Sequence, residues 1–300
     1  MSHIVTLVAP REEAHIDSGV LAAVADAIAA AGGTPGAPHT LEPGEAADIP
    51  ASGLDAAALR AAAEAGLAGA RLDLVAQPLA HRRKRLLVAD MDSTIINVEC
   101  IDELADLAGI KAEIAAITER AMRGELAFEP ALRERVARLA GQPEGIVAKV
   151  LAERVRLNPG ARTLVRTMAA KGAVTALVSG GFTAFTRVVA ERAGFAVHRA
   201  NELLVEDGRL AGRVREPILG RDAKLATLKA LASEHAIPLT ETLAVGDGAN
   251  DLAMIEAAGL GIAYRAKPVV AAAADGELRH ADLAALLFVQ GYRRNEFAAD

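Results

Sequence analysis

Four short apolar runs mark the chain beyond residue 80, at positions 86–89, 174–178, 242–245 and, more weakly, 260–263. None alternates with polar positions, as expected of strands buried on both faces of a parallel sheet. Stretches with helical spacing separate them at 182–193, 224–235 and 252–258. This alternation predicts an α/β protein with a doubly wound, Rossmann-like parallel sheet. Residues 201–205 and 209–214, joined by Glu206-Asp207-Gly208, predict a hairpin hung on that core. Residues 101–158 carry amphipathic helical stretches, including 114–122 and 131–139, and no strand pattern. Such a segment is too long for a simple crossover and predicts a helical cap inserted over the C-terminal edge of the sheet.

The first 80 residues predict a separate small α/β unit, with strands at 4–9 and 71–76 and helices at 20–31 and 59–68. The Pro/Gly-rich stretch 32–53 between the helices holds short strands or a loop. The expected domains are therefore 1–80, a core formed by 81–100 with 159–300, and the cap 101–158. The basic run His81-Arg82-Arg83-Lys84-Arg85 reads as a solvated linker between the first two.

Composition narrows the function. The 300 residues include 33 basic and 39 acidic ones, a formal charge of −6, which argues against a nucleic-acid or anionic-membrane surface. Six Phe, two Tyr and no Trp offer little base stacking. The single cysteine, Cys100, excludes an intramolecular disulfide and a cysteine-based zinc cluster, and it reads as a small buried residue. The seven histidines show no metal-ligand spacing. No apolar run approaches the roughly 18 residues of a membrane span, and the first ten residues lack a secretory signal, so a cytoplasmic protein is expected.

The chemistry gathers at the strand ends. The first of the four runs is followed by Asp90-Met91-Asp92-Ser93-Thr94, the second by Ser179-Gly180-Gly181, the third by Gly246-Asp247-Gly248-Ala249-Asn250-Asp251. In open α/β sheets the site lies just beyond these ends. One such cluster would be an ordinary turn or helix cap, but three converge on one rim. Asp90, Asp92, Asp247 and Asp251 would bring four negative charges together, and two charges about 4 Å apart repel by about 4 kcal/mol at an effective dielectric of 20. Carboxylates crowded this way must be protonated or neutralised by a cation. Oxygen ligands without Cys or His favour Mg²⁺ over zinc, and Mg²⁺ commonly pairs carboxylates with a substrate phosphate.

These clusters, with Phe182 and Lys224, resemble the four motifs of the haloacid dehalogenase superfamily from about residue 86 to 286. Within it the chain is most similar to the phosphoserine phosphatases, on the strength of Glu99, Phe128 and Arg135. The resemblance implies that Asp90 is the nucleophile, forming an aspartyl-phosphate, and that Asp92 is the general acid and then the base. The superfamily's transporting ATPases carry Thr at the Asp92 position, so Asp there favours a hydrolase. Ser179, Gly180 and Lys224 would hold the phosphate; Asp90, the Asp92 carbonyl and Asp247 would bind Mg²⁺. Asn250 and Asp251 would orient metal waters and Lys224.

The implied substrate is O-phospho-L-serine, hydrolysed in the last step of serine biosynthesis. Glu99 would take its ammonium and Arg135 its carboxylate, while Phe128 would close the pocket. The ordinary alternative for Arg135 is a solvated basic face shared with Arg133 and Arg138. A related phosphatase or phosphotransferase acting on phosphoglycolate or phosphohomoserine is the rival enzyme reading. The N-terminal unit is similar to an ACT-like domain, which implies amino-acid sensing or homodimer formation.

Overall fold

In a computed structural model, described for residues 1–123, 125–220 and 222–299, the chain starts with a βαβββαβ unit. It comprises β1 (His3–Val8), α1 (Ser18–Ala30), β2 (Thr34–Pro35), β3 (His39–Glu42), β4 (Ala46–Ser52), α2 (Ala56–Leu67) and β5 (Asp73–Pro78). The side chains of Asp17 and Asp55 accept the N–H groups of Val20 and Ala58 at 2.9 and 2.8 Å, which starts both helices. Their apolar faces join those of β1, β4 and β5 in one cluster around Val24, Ile28, Ile49 and Leu59. Strands occupy the Pro/Gly-rich stretch, and β5 begins two residues later than the pattern suggests.

Next come β6 (Leu86–Ala89) and four helices, α3 (Cys100–Leu107), α4 (Lys111–Met122), α5 (Phe128–Ala137) and α6 (Gly145–Glu153). Then α7 (Ala161–Ala170), β7 (Val174–Phe182), α8 (Thr183–Ala193) and β8 (Val197–Asn201) return the chain to the sheet. A ribbon of β9 (Leu203–Glu206) and β10 (Arg209–Val214) follows, then α9 (Ala223–Glu234) and β11 (Thr242–Gly246). The fold closes with α10 (Leu252–Ala257), β12 (Leu260–Tyr264), α11 (Pro268–Ala273), β13 (Gly276–Leu278) and α12 (Ala285–Val289).

The strands β13-β12-β11-β6-β7-β8 are parallel throughout. Leu87 and Ala89 of β6 enter the cluster that contains α7 and α8, whereas Leu86 and Val88 face α9. That two-sided burial is why the run shows no polar alternation. β6 sits between β7 and β11, where the strand order reverses, and such a switch point opens a crevice at the carboxyl ends.

Two expectations are corrected. Asn201 ends β8 in the main sheet, and the hairpin starts at Leu203. The basic run is solvated at His81, Arg83 and Arg85 but not at Arg82 and Lys84. Arg82 donates to both Asp48 carboxylate oxygens at 2.7 Å, to Thr6, and to the carbonyls of Phe288 and Val289. Lys84 is buried, with Nζ donating to the carbonyls of Thr240 and Gly259 at 2.9 and 3.2 Å. Burial holds its pKa down at about 8. The N-terminal strands continue the same sheet, β5 pairing antiparallel with β13 at Val75 and Gly276. A Cβ on Gly276 would come 2.7 Å from Val75 Cγ2, so only glycine permits that approach.

Candidate active site

Asp90 follows β6 directly, and its N–H donates to the Val245 carbonyl of β11 at 3.0 Å. The chain then turns tightly over Met91–Ile95, with Ser93 in the left-handed region at φ 56°. This turn brings Asp92 back beside the strand ends. Asp92 Oδ1 accepts the Cys100 N–H at the start of α3 at 3.2 Å, and Ser179 Oγ lies 3.5 Å from Asp92 Oδ2. From β7, Ser179 Oγ accepts the Gly181 N–H at 2.9 Å.

Lys224, in the first turn of α9, is 3 % exposed. Its Nζ lies 2.6 Å from Asp90 Oδ1 and 2.5 Å from Asp251 Oδ1. The second oxygen of Asp251 accepts the N–H groups of Asp247 and Gly248 at 3.2 and 3.0 Å. A Cβ on Gly246 would lie 2.4 Å from Asp251 Cγ, so glycine is required where this carboxylate folds under the loop. Thr94 Oγ1 donates to Asp247 Oδ1 at 3.3 Å.

Carboxylate oxygens of Asp90, Asp247 and Asp251 lie within 4.8 Å of one another, a group able to hold a metal ion. Burial, then the Asp251 charge, pushes the Asp90 carboxyl well above the usual range despite Lys224. The same two causes raise Asp247 to about 6. Burial and then Glu99 raise Asp92 to about 7. Burial alone would lower Lys224, but Asp90 and Asp251 hold it above the ordinary lysine value. Crowded carboxyls that resist ionisation fit a site completed by a divalent cation, and an all-oxygen donor set suits Mg²⁺. Cys100 is buried and its thiol pKa is pushed up, so it is no nucleophile.

The inserted helices cover this rim. A cavity of about 470 Å³ is lined by Asp90, Asp92, Ser179, Gly180, Asp247 and Asn250 from the sheet side, and by Glu99, Phe128 and Arg135 from the insert side. The Phe128 ring sits over Gly180, where an added Cβ would meet Cζ at 3.0 Å. Glu99 Oε1 accepts the Ser93 hydroxyl at 2.7 Å. Of the three arginines on one helix, Arg133 pairs with Glu129 and Glu216, and Arg138 with Glu113, at the surface. Arg135 alone lines the cavity, where burial lowers its pKa and the charges of Asp102 and Glu99 raise it.

The structure adds residues that sequence spacing did not single out. Asp102, Thr118 and Lys267 line the same cavity, and the buried Thr118 Oγ1 has no hydrogen-bond partner among the described residues. Asn201 bridges two loops behind Ser179. Only their place in the fold marks them.

Residues 87–256, more than half of the chain, match the haloacid dehalogenase-like hydrolase family. The chain belongs to this family. It is 45% identical over 259 residues to a phosphoserine phosphatase of Streptomyces coelicolor, a match covering 86% of this chain and 63% of that one. It is 48% identical over 200 residues to a phosphoserine phosphatase of Streptococcus thermophilus, covering 67% of this chain and 93% of the relative. A crystal structure of a probable phosphoserine phosphatase from Vibrio cholerae superposes with a TM-score of 0.78 at 33% identity, covering 97% of this chain and 86% of that one. The match to the Streptomyces protein thus leaves more than a third of that protein's length outside it. Among the described residues no helix is long and apolar enough to cross a membrane.

Proposed function

We propose that the chain is a Mg²⁺-dependent phosphomonoesterase that hydrolyses O-phospho-L-serine to L-serine and phosphate. The observation that carries this reading is the Asp90–Lys224 pair at 2.6 Å, facing a cavity shared with a second carboxyl, Asp92, that keeps its proton to about pH 7. The names of the Streptomyces, Streptococcus and Vibrio relatives support the substrate.

An Asp90 carboxylate oxygen attacks phosphorus, and the bond from phosphorus to the seryl oxygen breaks as the Asp92 proton moves to that oxygen. L-serine leaves and an aspartyl-phosphate remains. Asp92, now ionised, takes a proton from a water that attacks phosphorus. The bond from phosphorus to Asp90 breaks, phosphate departs and both carboxyls return to their starting states. Ser179, the Gly180 N–H and Lys224 hold phosphoryl oxygens while charge spreads over them. Asp90, Asp247 and the Asp92 carbonyl would hold a Mg²⁺ ion, which supplies neutralisation of the phosphate charge. Asp251 and Asn250 keep Lys224 and the metal loop oriented.

Glu99 and Asp102 beside Arg135 offer opposite charges to the ammonium and carboxylate of the amino acid. Phosphoglycolate has no ammonium to meet the Glu99 and Asp102 carboxylates. Residues 1–80 we assign an accessory role, ligand binding or homodimer formation, supported by their own core and βαβββαβ order. Sedimentation of the full chain with and without serine tests that assignment.

The decisive experiment measures phosphate release from a panel of phosphomonoesters with and without Mg²⁺, for the wild type and Asp90→Asn. Preference for phosphoserine, loss without Mg²⁺ and an inert variant are expected. Undiminished turnover by Asp90→Asn would overturn the mechanism, and equal turnover of all esters would overturn the substrate.

A further inference from the structure

We propose that Asn201 is a positioning residue that locks the end of β7, which carries Ser179 and Gly180, to the segment that leads into α9 and Lys224. The inference rests on the phosphoryl-transfer reading above for its catalytic consequence, though not for its geometry.

The pairing of β7 with β8 is irregular where the site begins. Val178 opposes Arg199 and Phe182 opposes Asn201, so the backbone ladder skips Ser179, Gly180 and Gly181. A bulge of this kind leaves peptide groups without ladder partners. The Asn201 side chain, 3 % exposed, replaces the missing bonds. Its Nδ2 donates to the Gly180 carbonyl at 2.9 Å and to the Leu219 carbonyl at 3.3 Å. Its Oδ1 accepts the Leu219 N–H at 2.7 Å.

The peptide joining Gly180 and Gly181 is therefore held on both edges. Asn201 fixes its oxygen, and Ser179 Oγ takes its N–H at 2.9 Å. It cannot flip without breaking both bonds, which keeps the Ser179 hydroxyl directed at the cavity and at Asp92. The other grip, on Leu219, lies five residues before Lys224. One buried amide thus sets the spacing between the hydroxyl and the ammonium that would hold the same phosphoryl group. Aspartate at 201 has no N–H to donate, and alanine reaches neither loop.

The test compares Asn201→Asp, nearly isosteric, and Asn201→Ala with the wild type in three measurements: thermal melting, kcat and KM for phosphoserine, and amide hydrogen exchange. Both variants are expected to melt cooperatively and to lose kcat by about a hundredfold, the scale of one lost transition-state donor, with KM changed by less than about threefold. Exchange protection should fall together in 179–182 and 217–220 while β1 and β12 keep theirs. A cooperatively folded Asn201→Asp with wild-type kcat, or exchange changes confined to one loop, would overturn the proposal. If Asn201→Ala does not fold, Asn201→Asp alone decides. Wild-type protein that releases no phosphate from phosphoserine would defeat the function reading only, because the exchange pattern needs no substrate.

Discussion

Asp251 and Asp90 share one cation: Lys224 Nζ lies 2.5 Å from the first and 2.6 Å from the second, with all three side chains removed from solvent. An ammonium between two buried carboxylates is fixed, so in the proposed mechanism its charge would reach the phosphoryl group without reorganisation. Replacing it leaves two buried acids unpaired. Lys224→Met is expected to lower kcat by about 10²–10³-fold and to destabilise the fold by about 3–5 kcal/mol. Adding Asp251→Asn should restore much of the stability and none of the rate. Urea melts and steady-state kinetics separate the two effects; a double variant that regained activity would show Lys224 to be structural.

Asp92 links activity to pH. As the acid of the proposed mechanism it must carry a proton, and its pKa of about 7 is expected to place the alkaline limb of kcat/KM there. Asp92→Asn should abolish turnover at every pH.

The same shift acts on stability with a definite sign. A carboxyl whose folded pKa exceeds its unfolded value near 4 binds more protons in the native state, so stability falls as pH rises between the two values. In chelator, the wild type should lose stability from about pH 4 to 7, through Asp92 and Asp247 together, and level off above. Asp92→Asn should be more stable than the wild type at about pH 8 and not at about pH 4. Equal curves for the two proteins would mean that Asp92 is not perturbed.

Recognition of the amino acid is expected to separate from recognition of phosphate. Arg135→Ala and Glu99→Gln should lower kcat/KM for phosphoserine by about 10²-fold, the scale of a lost charge-assisted contact, while turnover of p-nitrophenyl phosphate changes by less than about threefold. Thr118→Val tests the unpartnered hydroxyl over the same cavity. A higher KM for phosphoserine at unchanged or raised melting temperature would identify it as a substrate contact.

What the sequence revealed followed from burial. The runs in β6, β7 and β11 are apolar because both faces are covered, and the acidic and glycine-rich segments after them mark where the site opens. β8, with the sequence VHRAN, has a part-exposed, polar pattern that resembles a loop, so Asn201 fell to the hairpin. Arg133, Arg135 and Arg138 look alike along the chain; only the position of Glu216 and Glu113 in space separates surface pairs from the cavity residue. The basic run after residue 80 misled for the same reason. The partners of Arg82 lie 34 to 207 residues away, and no local pattern announces them.

Arg82 supplies the last prediction. Its guanidinium grips Asp48 in β4 by two bonds of 2.7 Å and also takes the carbonyls at the end of α12, so one side chain ties the N-terminal strands to the C-terminal helix. The pair is mostly buried, and removing one member strands the other charge away from water. Arg82→Ala and Asp48→Ala should each destabilise by about 3–5 kcal/mol, and the double variant should lose much less than the sum. Because the clamp lies outside the cavity, kcat and KM measured well below the melting temperature should stay near wild type. Additive losses in the double variant would mean that the two residues stabilise the seam independently.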